Sequence, residues 1–353
     1  MTKEKRDIAF DILKIISAIA VIIIHMCSYV LTTRGTDTIY FKVSNFYATI
    51  MHFSVPVFIM ITGAFLFSKK EEIPLKTLYK KYILKTFIIF LLATLFYKIN
   101  YIYQNHLMLT AQNIFTIFIQ AVFGNSEVHL WYLYMLIGLY MLYPIIYKFI
   151  TASNKKTIEY TLLILFIISS LVFSFSELSV ITGIRVASRL NISVYIFYLF
   201  AGYYLYHYDL KKITSTILIM LLPISAITTY LLSTFATLKL RSFNLIFVEY
   251  SSANIVILSL GVFYLFKLIS KKIKPTKLKT EIIYGISKLT LGIYIIHMIV
   301  MDYIYQLNII NFRVLTNVYL IPVYSIMIFI ISGLATYIVK TICQIPKILY
   351  KKH

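Results

Sequence analysis

Ten windows of about 20 apolar residues follow one another along this chain, near 8–32, 45–67, 82–99, 130–150, 158–175, 192–207, 213–233, 253–269, 284–305 and 317–342. A helix of that length crosses the ~30 Å hydrocarbon core of a bilayer. The spacing predicts an all-α, polytopic membrane protein with about ten transmembrane helices, built as a single domain over residues 1–353. Composition agrees, because only 13% of the residues are charged and 60% are hydrophobic, too few charges to cover a soluble surface. The N-terminal apolar stretch is too long for a cleaved signal peptide and reads as a retained first span.

The net charge of +21 does not point to nucleic acid, since the lysines and arginines lie in short clusters between the windows. With the N-terminus inside, 23 of them fall on the cytoplasmic side and seven on the other: Arg34, Lys42, Arg185, Arg189, Lys239, Arg241 and Arg313. Lys14, Lys85, Lys98 and Lys288 lie within windows. That asymmetry predicts cytoplasmic N- and C-termini. The clusters at 69–81 and 267–279 also suit anionic lipid or an anionic cofactor. The segment 100–129 holds no Lys or Arg and reads as re-entrant or interfacial.

Polar residues inside the windows are the informative ones. In "RDIAFDILKIISAIAVIIIHMCSYV" (6–30), Asp11, Lys14, Ala18, Ile22 and His25 step by three or four and share one helix face. An ionisable group at the centre of a span costs roughly 2.5–3.5 kcal/mol on insertion scales. At 1.5 Å per residue, Lys14 lies about 9 Å and His25 about 26 Å along the span. His52, His129 and His297 reach the same outer half, and Tyr294 precedes His297 by one turn. The plain alternative is that a buried histidine bonds a backbone carbonyl, that Asp11 and Lys14 pair at the interface, or that Lys14 snorkels. Asp302, five residues beyond His297, falls on another face and is not read as its partner.

A neutral imidazole takes a proton from a hydroxyl near pH 7 and can accept an acyl group. There is no HExxH, CxxC, GxSxG or phosphate-cradling GxxxxGK[ST], so a metal site is not expected and a group transfer with a histidine base fits. A proton-coupled transporter or flippase for a glycan or lipid-linked intermediate would use the same polar corridor. A third reading is an inert membrane scaffold.

"FDILKIISAIAVIIIH" (10–25) resembles the first span of the membrane acyltransferase family three, in which Asp, then Arg, ten residues, then His recur. Here Asp11 and His25 match, and Lys14 stands in the Arg position. "SVPVFIMITGAFLF" (54–67), "HLWYLYMLIGLYMLYPII" (129–146) and "LGIYIIH" (291–297) resemble further stretches in the same order. The likeness is closest to stand-alone members without an extracytoplasmic hydrolase-like domain. The resemblance implies an O-acetyltransferase taking acetyl-CoA, or another acyl-CoA, from the cytoplasm and acylating a hydroxyl of a surface glycan or lipid-linked glycan. It casts His25 and Asp11 as catalytic, and Lys14, Lys81 and Lys85 as donor-binding point charges in place of the bidentate arginine fork. His129, Trp131, Tyr294 and His297 would line the acceptor side. The oligomeric state stays open, a homo-oligomer included.

Overall fold

The computed structural model describes residues 7–106, 110–122, 127–183, 192–273, 275–310 and 317–350. Of the basic residues weighed above, Lys3, Lys5, Arg6, Arg185, Arg189, Lys274, Arg313, Lys351 and Lys352 lie outside the described residues. In chain order the helices are α1 (Ile8–Thr33), α2 (Ile39–Met51), α3 (Ser54–Leu66), α4 (Leu75–Leu78), α5 (Leu84–Gln104), α6 (Ala111–Val122) and α7 (Trp131–Ala152). Then come α8 (Lys155–Phe166), α9 (Val172–Thr182), α10 (Val194–His207), α11 (Lys212–Leu240), α12 (Ala253–Ser270), α13 (Lys277–Ser287), α14 (Thr290–Gln306) and α15 (Ile321–Tyr350). Single π turns, Tyr79–Ile83 and Ile167–Leu171, join α4 to α5 and α8 to α9. Among the described residues there is no strand.

The protein is an all-α, multi-pass membrane protein. Among the described residues eight helical stretches are long and apolar enough to cross a membrane, three of them joining numbered helices (α2 with α3, α4 with α5, α8 with α9), and α13 with α14, bent by 52° at the break between them, makes a ninth if the pair is one span. The window at 192–207 yields α10, of 14 residues, about 21 Å long at 1.5 Å per residue and so shorter than the hydrocarbon core. The segment read as re-entrant carries α6, a helix of 12 residues. Residues 107–109 and 123–126 on either side of it lie outside the described residues.

By its internal contacts the chain divides into two units, Met1–Leu66 with Lys156–His353, and Phe67–Lys155. In the first, α1 is the central helix and touches α2, α3, α12, α13, α14 and α15. Asp7 caps its start, accepting the Ala9 amide at 3.2 Å, as short acceptors do at helix N-termini. Phe10, Leu13, Met26 and Cys27 are fully enclosed. Phe10 meets the rings of Phe65, Tyr206 and Phe263. The Met26 sulfur accepts the Ser325 hydroxyl at 3.1 Å, tying α1 to α15.

Helices α3 and α10 pack with their backbones in contact. A Cβ at Gly63 would stand 2.1 Å from the Leu199 carbonyl oxygen, and one at Gly202 would stand 2.0 Å from that of Met60. Only glycine permits this approach, the usual device for close helix pairs in lipid. Between α2 and α11, Asn45 donates to Thr234 at 3.0 Å and accepts from Ser233 at 3.2 Å.

The second unit is organised by tyrosines on α7. The Tyr143 hydroxyl accepts the Ile73 amide at 3.1 Å, and Tyr147 donates to the carbonyls of Lys69 and Lys70 at 3.3 Å. The segment entering α4 is thereby pinned, and Phe67 stacks on Tyr143 at 5.5 Å.

Candidate active site

The polar face expected on α1 is present, and the helices around it supply its partners. At one end Asp11, 4% exposed, accepts the Ser287 hydroxyl at 2.6 Å. Ser287 closes α13 where the chain bends into α14, so the bend delivers the donor to the buried carboxylate. One turn on, the Lys14 ammonium lies 5.5 Å from the Phe65 ring, a cation–π arrangement that holds a cation against an otherwise apolar wall.

Further along the same face His25 meets His297 of α14, their ring centroids 5.1 Å apart. His297 is fully buried, and its Nδ1 lies 2.6 Å from the Tyr294 carbonyl oxygen. A carbonyl only accepts, so Nδ1 carries the hydrogen and Nε2 is the basic nitrogen of the neutral ring. The Tyr294 ring is 5.9 Å from the same imidazole. Two histidines read as belonging to one depth are thus ring neighbours across two helices. His52 closes α2, with Nδ1 2.6 Å from the Ala48 carbonyl, and its ring lies 6.1 Å from that of Tyr250. It stands near enough to His25 for their charges to interact.

One turn past His25, the Tyr29 hydroxyl donates to Asp302 at 3.4 Å. Asp302 thereby faces α1. The sequence signal was there, since Tyr29 continues the His25 face. What the spacing leaves open is the rotation of α14, set by its bend from α13. Ser287 escaped notice for the same reason.

The remaining candidates lie in the second unit. Lys81 sits in the π turn, and with Lys80, Leu84, Lys85, Ile88 and Ile89 it lines an open pocket of about 410 Å³. Such single-turn π bulges recur at functional sites, and here one leaves three exposed ammonium groups together. His129 is buried, 4% exposed, with its ring edge on Tyr97 at 4.9 Å. Trp131 begins α7 and meets Tyr132 at 6.4 Å. Among the described residues no group of three or more His, Cys, Asp or Glu is placed to hold a metal ion.

A sequence model of the acyltransferase domain family matches residues 7–337, nearly the whole chain. No curated protein and no solved structure matches the chain.

Proposed function

We propose, from the premise that this chain belongs to the membrane acyltransferase family three, that it moves an acetyl or other acyl group from cytoplasmic acyl-CoA to a hydroxyl of a surface or lipid-linked glycan. The observation that carries this reading is the His25–His297 ring pair, 5.1 Å apart, inside an apolar bundle. No packing requirement calls for two imidazoles there, and a base that works on a hydroxyl does. In this reading the N- and C-termini are cytoplasmic, in a bacterial plasma membrane, and the His25 end of the polar face opens outward. Lys81 and Lys85 attract the donor's phosphates at the inner surface, and Lys14 adds a positive charge to the face that carries His25.

The step proceeds with the acceptor hydroxyl giving its proton to His25 as its oxygen attacks the thioester carbonyl. The new C–O ester bond forms, the C–S bond breaks, and the departing coenzyme A thiolate takes the proton back. His297 and Tyr294 hold the acceptor against His25. Asp11, fixed by Ser287, supplies a negative charge on the same face, and Lys14 offsets it.

Transfer of label from radioactive acetyl-CoA to surface material, in membranes holding wild type or His25→Ala at equal amounts, tests this. Loss in the variant alone is expected. Equal transfer by both removes His25 from the chemistry, and glycan movement without coenzyme A release would establish a transporter instead.

A further inference from the structure

At the Thr33 end of α1 lies a pocket that the acyl-transfer step leaves unused. The last turn of α1, the turn at Gly35–Asp37 and the segment Arg241–Phe243 border an open pocket of about 530 Å³, within the roughly 300–1,000 Å³ of small-ligand sites. Arg34 and Arg241 line it, with the hydroxyls of Thr32, Thr36 and Ser242 and a single carboxylate, Asp37. Arg34 packs on the Tyr40 ring at 4.9 Å. Among the described residues neither arginine forms an ion pair, so both guanidinium groups keep their hydrogen-bonding edges for a ligand.

The pocket is built on fixed parts. The chain beyond Arg241 is tied to α9, where one Glu177 oxygen accepts the Phe247 amide at 2.7 Å and the Ser252 hydroxyl at 2.8 Å. Asn254 adds a bond to the Phe247 carbonyl at 2.7 Å. Arg241 itself holds a left-handed backbone, with φ of 52°, an arrangement that costs a side-chain-bearing residue energy and so marks a constrained position.

Its position relates it to the histidines. Thr32 follows His25 by seven residues, two turns on the same face, about 10 Å further out. Tyr29 and Asp302 lie between them. The pocket therefore stands at the Thr33 end of the face that carries His25.

We infer that this pocket binds a phosphate-type oxyanion, gripped between Arg34 and Arg241. Arginine forks match such groups through paired N–H bonds. A tetrahedral phosphate offers oxygens enough for two forks, where a carboxylate has two oxygens in all. The anion belongs either to a lipid headgroup or to a phosphorylated acceptor. The second source rests on the proposed acyl transfer; the binding itself does not.

The test uses the purified full chain in detergent and in nanodiscs, with glycerol 1-phosphate as the soluble probe and phosphatidylglycerol against phosphatidylcholine as the lipid probe. Dissociation constants are read for wild type, for Arg34→Gln with Arg241→Gln, for Arg241→Lys, and for Ser242→Asp, which places a negative charge in the pocket and leaves both arginines. Weakening of about tenfold or more is expected in the double variant and in Ser242→Asp, with Arg241→Lys between them and wild type. Glycerol 1-phosphate binding that phosphatidylglycerol does not displace assigns the site to a phosphorylated acceptor, and binding of phosphatidylglycerol, alone or in competition with glycerol 1-phosphate, assigns it to a lipid headgroup. Equal binding by wild type and both variants, or no binding of either probe, overturns the inference. The arginines would then only offset the negative ends of α1 and α11, which they cap. His25→Ala should bind as wild type does, so its loss of transfer and a loss of binding fail separately.

Discussion

Helices α1 and α11 are alike in length, 26 and 29 residues, and both carry polar side chains along one face, but those side chains have different consequences. On α11 they are hydroxyls, one per turn: Ser225, Thr229, Ser233 and Thr237, all buried. Thr229 accepts from Asn254 at 2.8 Å and donates to the Ser225 carbonyl at 2.6 Å, Ser225 donates to the Leu222 carbonyl at 2.9 Å, and Ser233 donates to Asn45. A hydroxyl can bond its own helix backbone, so such a stripe costs less than buried charges do. On α1 the face also carries ionisable groups, Asp11, Lys14 and His25, which cannot satisfy themselves that way. Accordingly 61% of the most apolar window of α1 is buried by neighbouring helices, against 17% for α11. Hydroxyls hold helices together; ionisable groups need a helix already enclosed, and their expense asks for a use.

The largest effect that would break this contrast is kinetic. His25→Ala should lower transfer by about 10²–10⁴-fold, the usual worth of a positioned base, whereas Ser233→Ala should keep wild-type transfer. Equal losses would mean that α1 and α11 are polar for the same reason. Next comes Asp11→Asn, which keeps an acceptor for Ser287 and removes the charge. Transfer falling about tenfold with an unchanged melting temperature would assign Asp11 an electrostatic role, about 1.4 kcal/mol in barrier. A fall in melting temperature instead would make it a packing group.

On the α11 side, Asn45→Ala should cost about 1–3 kcal/mol of stability by orphaning Ser233 and Thr234, read from thermal unfolding in detergent with transfer per folded molecule unchanged. The smallest effect concerns Asp209, between α10 and α11, and the lysines at the end of α12. Asp209, 71% exposed, accepts from Lys271 at 2.9 Å and lies 3.2 Å from Lys267, and these bonds hold its carboxyl below the usual carboxylate range. Its contribution is present above the unfolded value of about 4 and is lost as pH falls through the lower folded value. Asp209→Asn should therefore destabilise by under about 1 kcal/mol at pH 7, and progressively less as the pH falls below about 4.

The sequence made the α1 face legible because helical spacing is local: Asp11, Lys14 and His25 align whatever surrounds them. The partners were less legible in proportion to how many bends stand between. His297, set level with His25 by counting along one helix, is its ring neighbour. Ser287 and Asp302 were not connected to α1, because the 52° break between α13 and α14 fixes their rotation and no local pattern encodes it. The π turn at Tyr79–Ile83 is similarly silent, since it adds one residue to a turn without changing the apolar pattern. Lys81 and Lys85 were chosen by resemblance; their shared pocket comes from the fold.

The glycine contact between α3 and α10 has a mechanical consequence. Helices separated by side chains can slide or rotate by repacking them, but two backbones in contact interlock like teeth. The pair α3–α10 should therefore travel as one lever in any motion that admits donor or acceptor, with flexure confined to breaks such as His52–Phe53 and Lys288–Leu289. A covalent staple across α3 and α10 should leave turnover intact, whereas one across either break should slow it.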